Sequence, residues 1–106
     1  MYTPDRWMVV KLESPQNTHY RVFATWKGGY TSGDSWRLNS GISSVTEDKT
    51  HYYFNGQSGS VYKCHKEMYG TIVYGQSVMA DIIERHKENV SITVLDDQNW
   101  MEMKYE

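Results

Sequence analysis

Cysteine is nearly absent from this chain: Cys64 is the only one in 106 residues. No intramolecular disulfide can form, which excludes the small secreted disulfide scaffold and fits a reducing compartment. Long apolar runs are missing too, and none approaches the ~20 residues that a membrane-spanning helix needs. The opening residues, Met1-Tyr2-Thr3-Pro4-Asp5-Arg6, lack the charged and then apolar regions of a secretory signal. A cytoplasmic location with no membrane contact is the expectation. Nor does one sign of charge dominate, since 11 Lys and Arg stand against 13 Asp and Glu. A long-range field able to draw in duplex DNA is therefore not expected. The charges are unevenly spread, however: residues 1–70 carry 8 basic and 6 acidic groups and residues 71–106 carry 3 and 7. An anionic partner would approach the first two thirds.

Catalytic and cofactor spacings are also lacking. Gly56-Gln57-Ser58-Gly59 has the composition of a phosphate cradle but neither the strand–loop–helix context nor the Lys-Ser/Thr that follows such loops, so it reads as a turn. The carboxylate pairs Glu47-Asp48 and Asp96-Asp97 sit in polar turns, where solvation works against general-acid chemistry. No cofactor, no metal and no enzymatic activity are expected.

What the chain does have is aromatic residues, 14% against a hydrophobic share of only 39%. A few large anchors must hold one core together, and residues 1–106 are expected to form a single domain. Alternation over Trp7–Glu13 and His19–Lys27 predicts two strands joined by the turn Ser14-Pro15-Gln16-Asn17. The glycine-rich run Gly28–Asp34 reads as a connector or as a lip over a binding face. Ser35–Leu38 and Ile42–Thr46 read as one bent strand broken at Gly41, with a bulge there. Val78, Met79, Ile82, Ile83 and His86 recur at helical spacing, which predicts a helix over about 75–87. Asn89–Leu95 alternates as a half-buried strand, and Trp100–Tyr105 reads as a terminal edge strand. The fold class is thus α+β and mostly β: a strongly curved antiparallel sheet or small barrel with one helix in the C-terminal half.

The most informative stretch is Thr50–Lys66, two aromatic runs around Asn55-Gly56-Gln57-Ser58-Gly59, which predicts a β-hairpin. With a two- or four-residue loop, His51, Tyr53, Tyr62 and Cys64 would share one face, and Tyr52, Phe54, Val61, Lys63 and His65 the other. The first set would bring a thiol near an imidazole, as in a nucleophile pair or half a metal site. The remaining ligands, the oriented base and the oxyanion hole that such chemistry needs are not visible, so a buried apolar Cys64 is the better reading. The second set, joined by Tyr30, Trp36 and Arg37, offers aromatic platforms beside cations. Tyr30, Trp36, Arg37, Tyr52, Lys63 and His65 are therefore the candidate binding residues, for a base, a sugar or a protein.

Around Gly33-Asp34-Ser35-Trp36-Arg37-Leu38-Asn39-Ser40-Gly41 and Ser58-Gly59-Ser60-Val61-Tyr62-Lys63-Cys64-His65 the chain resembles uncharacterised small proteins of marine tailed phages. That resemblance implies a cytoplasmic accessory protein and no particular activity. In architecture alone the chain is similar to Sm-like and SH3-like barrels, which adds no site residues. The expected function is a non-catalytic binding or assembly module acting through an aromatic sheet face or an edge strand. It would meet a protein partner or a second copy through the C-terminal edge. Weak single-stranded nucleic-acid binding is the alternative, and a Cys/His enzyme or metal site the more remote one.

Overall fold

The strand Arg6–Glu13, β1, is apolar on both sides near its start: Trp7 and Val9 face one way, Met8 and Val10 the other, and all four are buried. A strand of that composition has to lie between two layers. The computed structural model of the chain describes residues 1–29 and 33–105, and in it β1 is an inner strand. β2 (Thr18–Trp26) pairs antiparallel with it from Arg6↔Thr25 to Glu13↔Thr18, across the Ser14–Asn17 turn, whose ends are tied by Ser14 N–H to the Asn17 carbonyl at 2.9 Å. β3 (Ser35–Leu38) flanks β2, and β7 (Ser91–Val94) flanks β1. The second sheet is antiparallel, in the order β4 (Ile42–Glu47), β5 (His51–Gly56), β6 (Val61–His65). The helix α1 spans Val73–His86, close to its predicted range.

The mostly-β α+β class, with a helix in the C-terminal half, is as the periodicities indicate. The two layers are separate antiparallel sheets. The chain passes from one to the other at Asn39-Ser40-Gly41, so the expected bent strand is in fact two strands in different sheets. Asn39 makes the crossing possible: its N–H donates to the Val22 carbonyl at 3.0 Å and its Oδ1 accepts the Val22 N–H at 2.8 Å. The side chain thereby extends the ladder by one step while the backbone leaves it. The register irregularity falls just after Gly41, between Ile42 and Ser44.

Two cores result. Between the sheets lie Trp7, Val9, Val22 and Ala24 from the first and Ile42, Tyr52, Phe54, Tyr62 and Cys64 from the second, closed by Trp100. Burial of each large ring here stabilises by about 1.5–3 kcal/mol. The rings meet at angles, as their quadrupoles prefer: Trp7 is 4.8 Å from Tyr69 at 89° and 5.3 Å from Phe54 at 53°. On the other face of the first sheet, Met8, Val10 and Phe23 receive Met79 of α1. The helix comes this close because Gly75 has no side chain: a Cβ there would lie 2.9 Å from Thr25 Cγ2 and against Thr71 Oγ1.

The terminal edge strand expected over Trp100–Tyr105 is not formed. Trp100 is fully buried, stacked on Tyr69 at 5.5 Å, and the Tyr105 hydroxyl folds back to the Trp100 carbonyl at 2.6 Å. The inter-sheet core needs an indole at its open end, and that demand outweighs the local alternation of the segment.

Candidate functional site

The Thr50–Lys66 hairpin forms, but its loop is odd-numbered. Gly56 N–H donates to the Ser60 carbonyl at 2.7 Å, Gly59 N–H donates to the Gly56 carbonyl at 3.0 Å, and Gly59 has φ +93°. Gln57-Ser58-Gly59 is thus a three-residue loop closed by a left-handed glycine. Such a loop reverses the face pairing that an even-numbered loop would give. The pairs are His51↔His65, Tyr52↔Cys64, Tyr53↔Lys63 and Phe54↔Tyr62. Tyr52, Phe54, Tyr62 and Cys64 point inward, while His51, Tyr53, Lys63 and His65 point outward.

This register overturns both expected groupings. Cys64 is fully buried on the face opposite His51, its thiol 3.7 Å from the Tyr62 carbonyl, and burial pushes its pKa far up. It is neither a nucleophile nor a ligand in that setting. Tyr52 belongs to the core, not to a face shared with Lys63 and His65. Trp36, on β3 opposite Thr25, lies 5.7 Å from Phe23 on the helix side of the first sheet and is 39% exposed. Arg37 points to the other side, its guanidinium 4.6 Å from the Tyr2 ring centre. Tyr30 lies outside the described residues. Of the five candidates among the described residues, only Lys63 and His65 are brought together.

They meet His51 and Tyr53 instead. The two imidazoles are 4.8 Å apart and nearly perpendicular, and Lys63 Nζ sits 5.9 Å over the Tyr53 ring. Tyr53 donates its hydroxyl proton to Asp48 at 2.6 Å, and Asp48 also accepts the Thr50 N–H at 2.9 Å and the His51 N–H at 2.8 Å. These bonds hold the Asp48 carboxyl well below the usual carboxylate range and raise the Tyr53 pKa. Desolvation, followed by the charges of Lys63 and His65, lowers the His51 pKa against the pull of Asp48. Around this face Lys49, Lys63 and Lys66 are offset by Glu47, Asp48 and Glu67, with Lys66 bonded to Glu47 at 2.6 Å. The surface is polar and aromatic but not cationic.

The edges of the second sheet differ sharply. Gly56 bonds across to Ser60, so by antiparallel alternation the outer polar groups of β6 belong to Val61, Lys63 and His65. All three are engaged: Tyr2 N–H donates to the Val61 carbonyl at 2.8 Å, Lys63 N–H donates to the Tyr2 carbonyl at 2.7 Å, and Trp7 Nε1 donates to the His65 carbonyl at 2.7 Å. On β4, Asp48 N–H bonds to the His51 carbonyl at 3.0 Å, so Ser44 and Thr46 exchange bonds with β5 while Val45 and Glu47 direct theirs outward. Among the described residues those outward groups have no backbone partner.

A groove of about 460 Å³ runs along this edge, walled by Ser43, Ser44 and Val45 on one side and by Met101, Met103, Lys104 and Tyr105 on the other. The C-terminal segment is thus not an edge but the opposing wall of one. Sequence reasoning placed a strand over Ile42–Thr46 but missed that it is a free margin, although the signal was there: Ile42-Ser43-Ser44-Val45-Thr46-Glu47 has only two apolar residues, the composition of a strand at a sheet edge.

No protein-family model, curated protein or solved structure matches this chain. Among the described residues no helix is long and apolar enough to cross a membrane, and no three His, Cys, Asp or Glu side chains are grouped to hold a metal ion.

Proposed function

We propose that the protein is a non-catalytic binding module that takes up an extended segment of a partner protein as an added strand along β4. The observation that carries this reading is the pair of outward-directed backbone groups at Val45 and Glu47, facing a groove whose far wall is Met101, Met103, Lys104 and Tyr105. Main-chain hydrogen bonds would supply affinity, and every second side chain of the guest would lie against Val45, Met101 and Met103. Lys104 at the wall favours a carboxylate on the guest.

Selection from a displayed library of random linear peptides tests it, with a Val45→Pro variant beside the unaltered chain. Proline removes the outward N–H without touching the ladder to β5, a placement edge strands tolerate. Peptides with alternating apolar residues that bind the unaltered chain, shift the amide signals of 43–47, and are lost on V45P are the expected result. Selected peptides that shift signals elsewhere, or that bind V45P equally well, would refute it.

A second reading, weak binding of single-stranded nucleic acid, is favoured by the outward His51, Tyr53, Lys63 and His65. Stacking would have to supply most of the affinity, since the lysines nearby are offset by carboxylates. Tyrosine fluorescence titrated with short RNA at two salt concentrations should show a salt-sensitive change, and a flat response removes this reading.

A further inference from the structure

A different concavity opens on the helix side of the first sheet, between α1 and the β1–β7 edge. It measures about 570 Å³, and Met8, Met79, Ala80, Ile83 and Val94 form its apolar part. Its polar end is made by Arg6, Thr71 and Gln76. The division follows from the fold: Arg6 precedes the apolar stretch of β1 on the same sheet face as Met8, and Gln76 lies one to two turns before Met79–Ile83 on α1.

Arg6 is the decisive group. Its Nη1 donates one long bond, 3.4 Å, to the Tyr69 carbonyl, and none of the ion pairs among the described residues includes it. A half-buried guanidinium with most of its donors uncommitted, at the end of an apolar trough, is complementary to a carboxylate attached to an alkyl chain. From Gln76 to Ile83 the helix advances roughly 10 Å, the reach of a medium-length chain.

We infer that this cleft binds a free medium-chain carboxylate, with its head at Arg6 and its chain along Met8, Met79 and Ile83. The site is separate from the β4 edge, and either can fail without the other.

Methionine-methyl NMR of the intact protein tests the inference, because Met8 and Met79 line the cleft and Met1, Met68, Met101 and Met103 lie outside it. Octanoate, 1-octanol and acetate are titrated below any micelle-forming concentration. Octanoate should shift the Met8 and Met79 methyls saturably while the other four stay still. Octanol should bind at least about tenfold more weakly for want of the charge-assisted bond, and acetate should leave the methyls unmoved. Arg6→Gln should bring octanoate down to the octanol level. Unmoved Met8 and Met79 methyls with octanoate, or equal affinity for octanol, would overturn the site. If R6Q does not fold, the octanoate-to-octanol comparison on the unaltered chain still decides.

Discussion

The Tyr69 hydroxyl is interposed between Val9 and Leu95: it accepts the Val9 N–H at 3.1 Å and donates to the Leu95 carbonyl at 2.5 Å. Leu95 N–H still reaches the Val9 carbonyl directly, at 3.0 Å. One rung of the β1–β7 ladder is therefore carried by a side chain, at the point where the two strands part. The same ring stacks on Trp100 and meets Trp7 edge-on, so it ties the sheet to the inter-sheet core.

Tyr69→Phe keeps the ring and orphans both backbone groups. Leaving buried polar groups unpaired costs about 1–3 kcal/mol, to be read as a lower urea midpoint with an unchanged m-value. Burial pushes the Tyr69 pKa up to about 12, with Asp97 and Asp96 adding to it. The folded pKa exceeds the unfolded value near 10, so this hydroxyl's contribution is intact below pH 10 and is lost as pH rises toward 12. Y69F should flatten that part of the alkaline stability curve; an unchanged slope would show that Tyr69 does not titrate as described.

Gly75→Ala sets helix propensity against packing. In an exposed helix the change would stabilise by about 1 kcal/mol. Here the new methyl would meet Thr25 Cγ2 at 2.9 Å and collide with Thr71 Oγ1, and overpacking of this kind costs about 1–3 kcal/mol. The expectation is net destabilisation in thermal unfolding. A gain in melting temperature would mean that α1 does not rest on Thr25.

Cys64 should be inert to a neutral alkylating agent at pH 7 while the chain is folded, and should react at the rate of a free thiol in denaturant. Its burial and raised pKa both require this. Rapid labelling of the native protein would put the thiol on the outer face and reverse the hairpin register.

Much of this architecture is legible in the sequence, and the exceptions share a cause. The β1–β2 hairpin and α1 follow from periodicity because each turns an apolar stripe of its own toward a core, and β7 follows from alternation alone, with only Ile92 half-buried. The register of β5 and β6 does not, since it depends on whether the loop holds an even or odd number of residues, and the left-handed conformation of Gly59 decides that. Trp100–Tyr105 alternates like a strand, but the opening between the sheets takes the indole, a demand from residues far away in the chain. The expected binding set fails for the same reason: Tyr52 and Lys63 lie on opposite faces once the loop has three residues, and Trp36 and Arg37 belong to a sheet that the hairpin does not join. The free edge of β4 could be found only after the partners of β6, Tyr2 and Trp7, were placed.

Amide hydrogen exchange along β4 at low protein concentration tests the central claim most directly. Ser44 and Thr46, bonded to β5, should exchange slowly, while Val45 and Glu47 should exchange at nearly unprotected rates. Equal protection of all four amides would mean that the edge is already covered, and β4 would then have nothing to offer a guest strand.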